Sequence, residues 1–136
     1  MYFLHYIADI LICTTIYFNI FDVVLCNHVL EHVEDDILAL KEIRRVLKKG
    51  GYSILQVPFY HPLPNKTLED KSITDPLERE KKYGQSDHVR KYGKDYNKRL
   101  TLIGFKVDEN NYIKYRFHNT IFKFCFGKNE FRLFIK

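Results

Sequence analysis

Residues 21–26 read Phe-Asp-Val-Val-Leu-Cys and residues 52–59 read Tyr-Ser-Ile-Leu-Gln-Val-Pro-Phe, two apolar runs with no helical period. Such runs suit strands covered on both faces, as in a parallel sheet. What joins them decides the topology. Over 35–48, Ile37, Leu40, Ile43 and Leu47 recur at steps of three and four, so they share one helical face. Glu34, Asp35 and Asp36 stand at the positive end of that helix, and Arg44, Arg45, Lys48 and Lys49 at its negative end. Gly50-Gly51 closes it, one glycine being free to take the left-handed cap. Strand, crossover helix and strand imply an α/β fold with a mostly parallel sheet.

The flanking sequence extends this frame. Residues 6–12 are short, apolar and β-branched, with Asp9 inside them, and read as another strand. Residues 61–92 show no period and are broken by Pro62, Pro64 and Pro76. They follow the carboxyl end of a strand, where open α/β sheets bind ligands, so they read as an irregular lid or substrate loop. A loosely helical surface insertion is the alternative. Over 94–103, Tyr96, Leu100 and Ile103 share a helical face that Gly104 ends. A strand starts at 105–108 and the last strand occupies 129–135, while the aromatic and basic stretch 113–127 takes no assignment.

Composition narrows the class. The chain has 136 residues, enough for one domain with a core, and 46% are hydrophobic, which argues against a disordered chain. Cys13, Cys26 and Cys125 are odd in number and form no C-x-x-C, which suits a reduced, cytoplasmic protein with buried thiols. Residues 1–26 are apolar but carry no basic leader and no small-residue cleavage site. Their longest clean run, 10–18, is far short of the ~20 residues a membrane span needs, so no membrane segment is expected. The net charge of +5 is spread. Around 79–99 basic residues and Tyr83, Tyr92 and Tyr96 alternate with Glu78, Glu80, Asp87 and Asp95, so no tight nucleic-acid binding is expected.

His28-Val29-Leu30-Glu31-His32 is an H-x-x-E-H string, a pattern that can mark a zinc helix. A zinc site of that kind needs both histidines on one helical face. Here the helical period begins only after Glu34, a strand runs almost directly into Asn27, and no third-ligand motif follows. The string therefore reads as a strand-to-helix corner, with Glu31 and His32 bracing it or capping the helix start, and no metal is expected.

The order FDVVLCNHVLEHVEDDILALKEIRRVLKKGGYSILQVP resembles the class I S-adenosylmethionine (SAM)-dependent methyltransferases of the type 11 kind, from their fourth strand to their fifth. Phe21-Asp22 opens the strand, Leu30-Glu31-His32 turns the corner, Arg45-Val46-Leu47 ends the helix and Gly50-Gly51 starts the next strand. Gly84-Gln85-Ser86-Asp87-His88-Val89-Arg90 and Tyr92-Gly93-Lys94-Asp95-Tyr96 resemble a later segment of one subset, and Leu100, Gly104 and Phe105 continue it. The resemblance covers about residues 6–112 and the last strand.

It implies a partial Rossmann-like methyltransferase fold, helices on the faces of a mostly parallel sheet, and an antiparallel last strand. It implies SAM as cofactor and an unidentified methyl acceptor. Asp9, with Ile10 beside it, would hold the adenine; Asn27 and His28 would approach the methionine part and the methyl group. His28 or His32 would be the base where the acceptor must lose a proton, and His88 and Arg90 would orient the lid or reach the substrate. The family also binds SAM through a glycine-rich turn after its first strand and an acidic residue after its second. No G-x-G run precedes Phe21, so two strand–helix units of ~30 residues each have no counterpart. Residues 1–136 therefore read as one truncated, impaired domain: a fragment, a mis-assigned start or a decayed copy. An exposed sheet edge would favour self-association. The rival reading is a non-catalytic remnant or interaction module that has lost cofactor binding.

Overall fold

A computed structural model describes residues 3–4, 17–108 and 133–135, so Asp9 and Ile10 lie outside the described residues. Strand β1 (Phe3–Leu4) runs parallel to β2 (Phe21–Asn27), and β2 runs parallel to β3 (Leu47–Gln56). Two further strands, β6 (Lys106–Asp108) and β7 (Leu133–Ile135), complete a five-stranded sheet of order β1-β2-β3-β7-β6. β7 is antiparallel to both β3 and β6. The parallel centre and the antiparallel last strand are those the sequence implied.

Helix α1 (Asp36–Val46) joins β2 to β3. The Asp35 carboxylate accepts a hydrogen bond from the Leu38 amide at 2.9 Å and so caps its N-terminus. Ala39, Leu40, Ile43 and Val46 are buried on it and meet Val24, Cys26 and Leu55 of the strands. Tyr96 and Leu100 of helix α3 (Tyr96–Ile103), with Phe105, close the same core. Gly104 ends α3 as the sequence indicated, in the left-handed conformation with φ 96°.

The end of α1 differs from the sequence reading. The helix stops at Val46, and Leu47 is already extended, with φ −70° and ψ 136°. The lysine–glycine stretch 48–51 belongs to β3. The cause is register: Phe21 faces Leu47 and Val23 faces Tyr52, so two residue steps on β2 answer five on β3. The surplus forms a bulge in which Gly50 takes φ 79°. A side chain at Gly51 would stand 3.0 Å from the carbonyl oxygens of Asp22 and Lys48. The glycine pair serves strand pairing rather than a helix cap. Lys48 also closes an ion pair with Asp22 at 3.0 Å, which accounts for that acid at the strand start.

Residues 61–92 are more ordered than an irregular loop. β4 (Leu68–Glu69) pairs antiparallel with β5 (Arg90–Lys91), and α2 (Pro76–Tyr83) lies between them. Asp75 caps α2 through the Glu78 amide at 3.0 Å, Pro76 stands in its first turn, and Gly84 ends it with φ 101°. Only Tyr83 of that helix is buried, which is why no apolar period announced it. Among the described residues no helix is long and apolar enough to cross a membrane.

Leu40 is fully buried beneath the sheet. Leu40→Ala should destabilise the chain by about 2–5 kcal/mol. A loss below about 0.5 kcal/mol in chemical denaturation would show that this face does not carry the core.

Candidate functional site

The chain leaves β2 at Asn27 and turns at once. His28 adopts φ 53°, a left-handed conformation costing a non-glycine residue about 1–2 kcal/mol. Its amide donates to the Gln56 carbonyl at 2.9 Å, so the turn starts pinned to the end of β3. Leu30 then drops into the core, fully buried. The backbone of 30–34 cannot pair its carbonyls within a helix that has not yet begun. Arg90 supplies the donors. Buried to 3% exposure, its guanidinium donates to the carbonyls of Leu30 at 2.6 Å, Glu34 at 3.0 Å and Val33. Its charge is matched by Glu69 at 3.2 Å and Asp36 at 3.9 Å. Asp36 also accepts from the Tyr92 hydroxyl at 2.8 Å and from Arg99 at 2.8 and 3.0 Å. Arg99 reaches Glu69 as well.

This docking sets three imidazoles around one acid. Glu31 is 1% exposed. Its Oε1 stands 3.4 Å from His28 Nδ1 and 3.9 Å from His32 Nε2. His88, 2% exposed, comes from the 84–91 segment and packs edge-to-face on His32, ring centres 4.7 Å apart at 82°. Tyr60 tilts toward His88 from the other side, with ring centres 6.2 Å apart. His32 Nδ1 meets Asp87 at 3.2 Å. Burial pushes the Glu31 carboxyl up to about 7, against which its own backbone amide and then Arg90 pull down. Burial, aided by the neighbouring His32, holds His28 and His88 below the usual histidine value. Both imidazoles are therefore neutral near pH 7.

The sequence-named residues separate into two places. Asn27 ends β2 beside Gln56, its partner at the end of β3. The Asn27 Oδ1 and both side-chain polar atoms of Gln56 are buried and lack a hydrogen-bond partner among the described residues. These unanswered polar atoms stand at adjacent carboxyl ends of parallel strands, the edge where open α/β sheets bind ligands. His28, His32 and His88 gather instead at the corner, around Glu31. Arg90, expected to orient the lid or reach a substrate, has its guanidinium committed to the corner carbonyls and to acids. Glu31, read as a brace or helix cap, caps nothing: Asp35 does that, and Glu31 faces the imidazoles. Gln56 was not singled out, though an amide closing an otherwise apolar strand was its signal. The structure also brings His88 to Glu31 and His32, each offering one metal-ligand-type atom within 4.8 Å of the others.

Comparison with known proteins now bears on the class. Residues 14–55 match the family model described as a methyltransferase domain. No curated protein matches the sequence. A candidate methyltransferase from Bacillus halodurans C-125 is 26% identical, with a TM-score of 0.50, over 73% of this chain and 40% of that one. A SAM-dependent methyltransferase from Archaeoglobus fulgidus gives a TM-score of 0.54 at 12% identity, over 96% of this chain and 64% of the other. One from Thermotoga maritima gives 0.50 at 19% identity, over 93% and 61%. The resemblance to class I SAM-dependent methyltransferases is thus shown, in sequence over 14–55 and in fold more widely. The chain spans about two-fifths of the length of the Bacillus protein.

Two outcomes test the corner. Arg90→Ala leaves three carbonyls without their donor and should cost about 3–5 kcal/mol of stability; a cost below about 1 kcal/mol in urea titration would deny Arg90 that role. The second is a pH effect. Between the ordinary value of 4.5 and about 7, the folded chain keeps a proton on Glu31 that the unfolded chain releases. Stability therefore falls as pH rises through that window. Glu31→Gln removes the loss, so with chelator present the variant should gain on the parent between about pH 5 and about pH 8. An unchanged difference at the two pH values would show that Glu31 titrates normally.

Proposed function

We propose that these residues form the C-terminal part of a SAM-dependent methyltransferase domain, with the crevice at Asn27 and Gln56 on the cofactor side and the histidine corner on the acceptor side. The observation that carries this is the set of orphaned polar atoms at the ends of β2 and β3, in a fold shared with SAM-dependent enzymes. The residues present fit part of the cofactor. The amides of Asn27 and Gln56 offer donors and acceptors for the amino-acid end of SAM, and by resemblance Asp9 and Ile10 would hold the adenine.

SAM held there would supply a sulfonium-activated methyl group to the acceptor's nucleophile, with the thioether S-adenosylhomocysteine as leaving group. The chain's own residues orient the partners and take up a proton. His28 is the better placed base: it follows Asn27 directly, its ring is partly exposed, and it is neutral near pH 7. With Nδ1 directed at Glu31, its other nitrogen is left to accept the proton of a hydroxyl or ammonium acceptor. His32 is tied to Asp87 and serves the corner instead. Residues around 61–92, after the end of β3, are the part of this chain that would choose the methyl acceptor.

No glycine precedes Gly50, so the family's glycine-rich turn has no counterpart here. The 136-residue chain alone should therefore bind SAM no more tightly than about 1 mM by calorimetry. Fusing ahead of it a glycine-rich strand–turn–helix half from a relative should bring binding into the micromolar range, about 1–100 μM. Asn27→Ala in that fusion should weaken it about tenfold. A fusion that folds without binding SAM, or one indifferent to Asn27→Ala, would overturn the reading. So would low-micromolar binding by the unfused chain that is lost on Asp9→Ala.

A further inference from the structure

We propose that Glu31, His32 and His88 form a binding site for one divalent transition-metal ion of the zinc type, tying the corner after β2 to the 84–91 segment. Their ligand atoms lie within 4.8 Å of one another without any ion. Zinc–ligand bonds of about 2.0–2.1 Å put two ligands of one tetrahedral ion about 3.3 Å apart, and two bound imidazole centres about 5 Å apart. Glu31 Oε1 and His32 Nε2 are 3.9 Å apart, and the His32 and His88 ring centres 4.7 Å. Small side-chain rotations close the remaining gap.

Two independent features point the same way. Glu31 Oε2 and His88 Nδ1 are buried without a well-formed hydrogen bond among the described residues, the Tyr83 backbone being the polar group nearest at hand to the His88 ring. A buried carboxylate oxygen and a buried imidazole nitrogen left unpaired are costly, and a cation answers the need of such atoms. The second feature is the surrounding shell. His32 gives Nδ1 to the Asp87 carboxylate at 3.2 Å and turns Nε2 toward Glu31, the arrangement that fixes the orientation and tautomer of a metal-bound imidazole.

The donor set selects the ion. Two imidazoles and one carboxylate suit zinc and its neighbours, whereas magnesium and calcium prefer oxygen ligands throughout. Three protein ligands leave a fourth position for water, and the His32 side chain, 35% exposed, gives the ion its way in. Of the H-x-x-E-H string only Glu31 and His32 ligate; His88, 56 residues after His32, takes the third place. The site makes no use of the cofactor crevice and stands or falls apart from it.

The test is zinc itself. The purified, untagged 136-residue chain, stripped with a chelator, is titrated with Zn²⁺ by calorimetry and with Co²⁺ by visible absorption. One equivalent should bind with a dissociation constant of about 1 μM or tighter, with the d–d bands of low-coordinate cobalt, while Mg²⁺ should not bind. His32→Ala and His88→Ala should each weaken zinc by at least ~10-fold, and His61→Ala, exposed and outside the cluster, by less than about twofold. His32 lies at the surface, so His32→Ala should retain the parent's circular dichroism and remain informative if His88→Ala does not fold. A stripped chain that binds zinc more weakly than about 100 μM would overturn the proposal, as would unchanged affinity in the folded histidine variants.

Discussion

A single guanidinium holds the corner on which the rest of the site depends. A strand that turns into a helix leaves carbonyls that neither element can pair, and here those of Leu30, Val33 and Glu34 face inward. Arginine answers this where lysine could not, because its planar fork presents several fixed donors at once. The cost is a buried positive charge. Asp36 and Glu69 meet it, and Arg99 joins them to leave two acids against two guanidiniums. Such a network adds little net stability over an apolar core of the same volume, but it fixes one arrangement, since any slip strands a charge. Tyr92 seals it from within, its hydroxyl on Asp36.

The clamp has a chemical consequence through its neighbours. Holding Arg90 on the corner fixes residue 89, whose amide donates to the Glu31 carbonyl at 2.9 Å, and so fixes His88 against His32. The 64–67 stretch is strapped to the same body. Thr67 donates twice to Asp95, and any side chain on Gly93 would stand 2.5 Å from the Lys66 backbone. The segment between β3 and α3 is therefore a docked layer rather than a loose flap, and the groups it brings to Glu31 are held in place by bonds remote from them.

How much of this was legible in the sequence follows from the range of each signal. The β2–α1–β3 unit was readable because its apolar periods are local and strong. The end of α1 was not, because Leu47 continues the helical period while strand pairing with Phe21 claims it, and a register is a two-segment property. Helix α2 carried its boundary marks in Asp75, Pro76 and Gly84, yet with a single buried residue it had no period to enclose. The place of Asn27 and His28 at the end of β2 was readable because strand ends are predictable places. The role of Arg90 was not readable, since a basic residue in a charged stretch looks the same whether it meets solvent or three carbonyls. The third imidazole at Glu31 was hidden for the same reason: nothing local ties His88 to the corner.

Glu31 is the residue that the fold alone does not explain. The corner's carbonyls are served by Arg90, its helix is capped by Asp35, and its plug is Leu30, so beyond its own backbone amide the Glu31 carboxylate, at 1% exposure, serves none of these needs of the turn. Burial drives it toward its neutral, protonated form, so ionising it at this place needs a partner that offsets the lost solvation. The groups aimed at it are the imidazoles of His28 and His32, with His88 alongside, and Asp87 sets the tautomer of His32 from behind. An acid kept dry in such company is suited either to hold a cation or to polarise the imidazole next to the crevice. The two uses draw on different neighbours. A cation takes His32 and His88, leaving His28 free beside Asn27, so binding at the corner and proton uptake at the strand end can coexist without competing for a ligand.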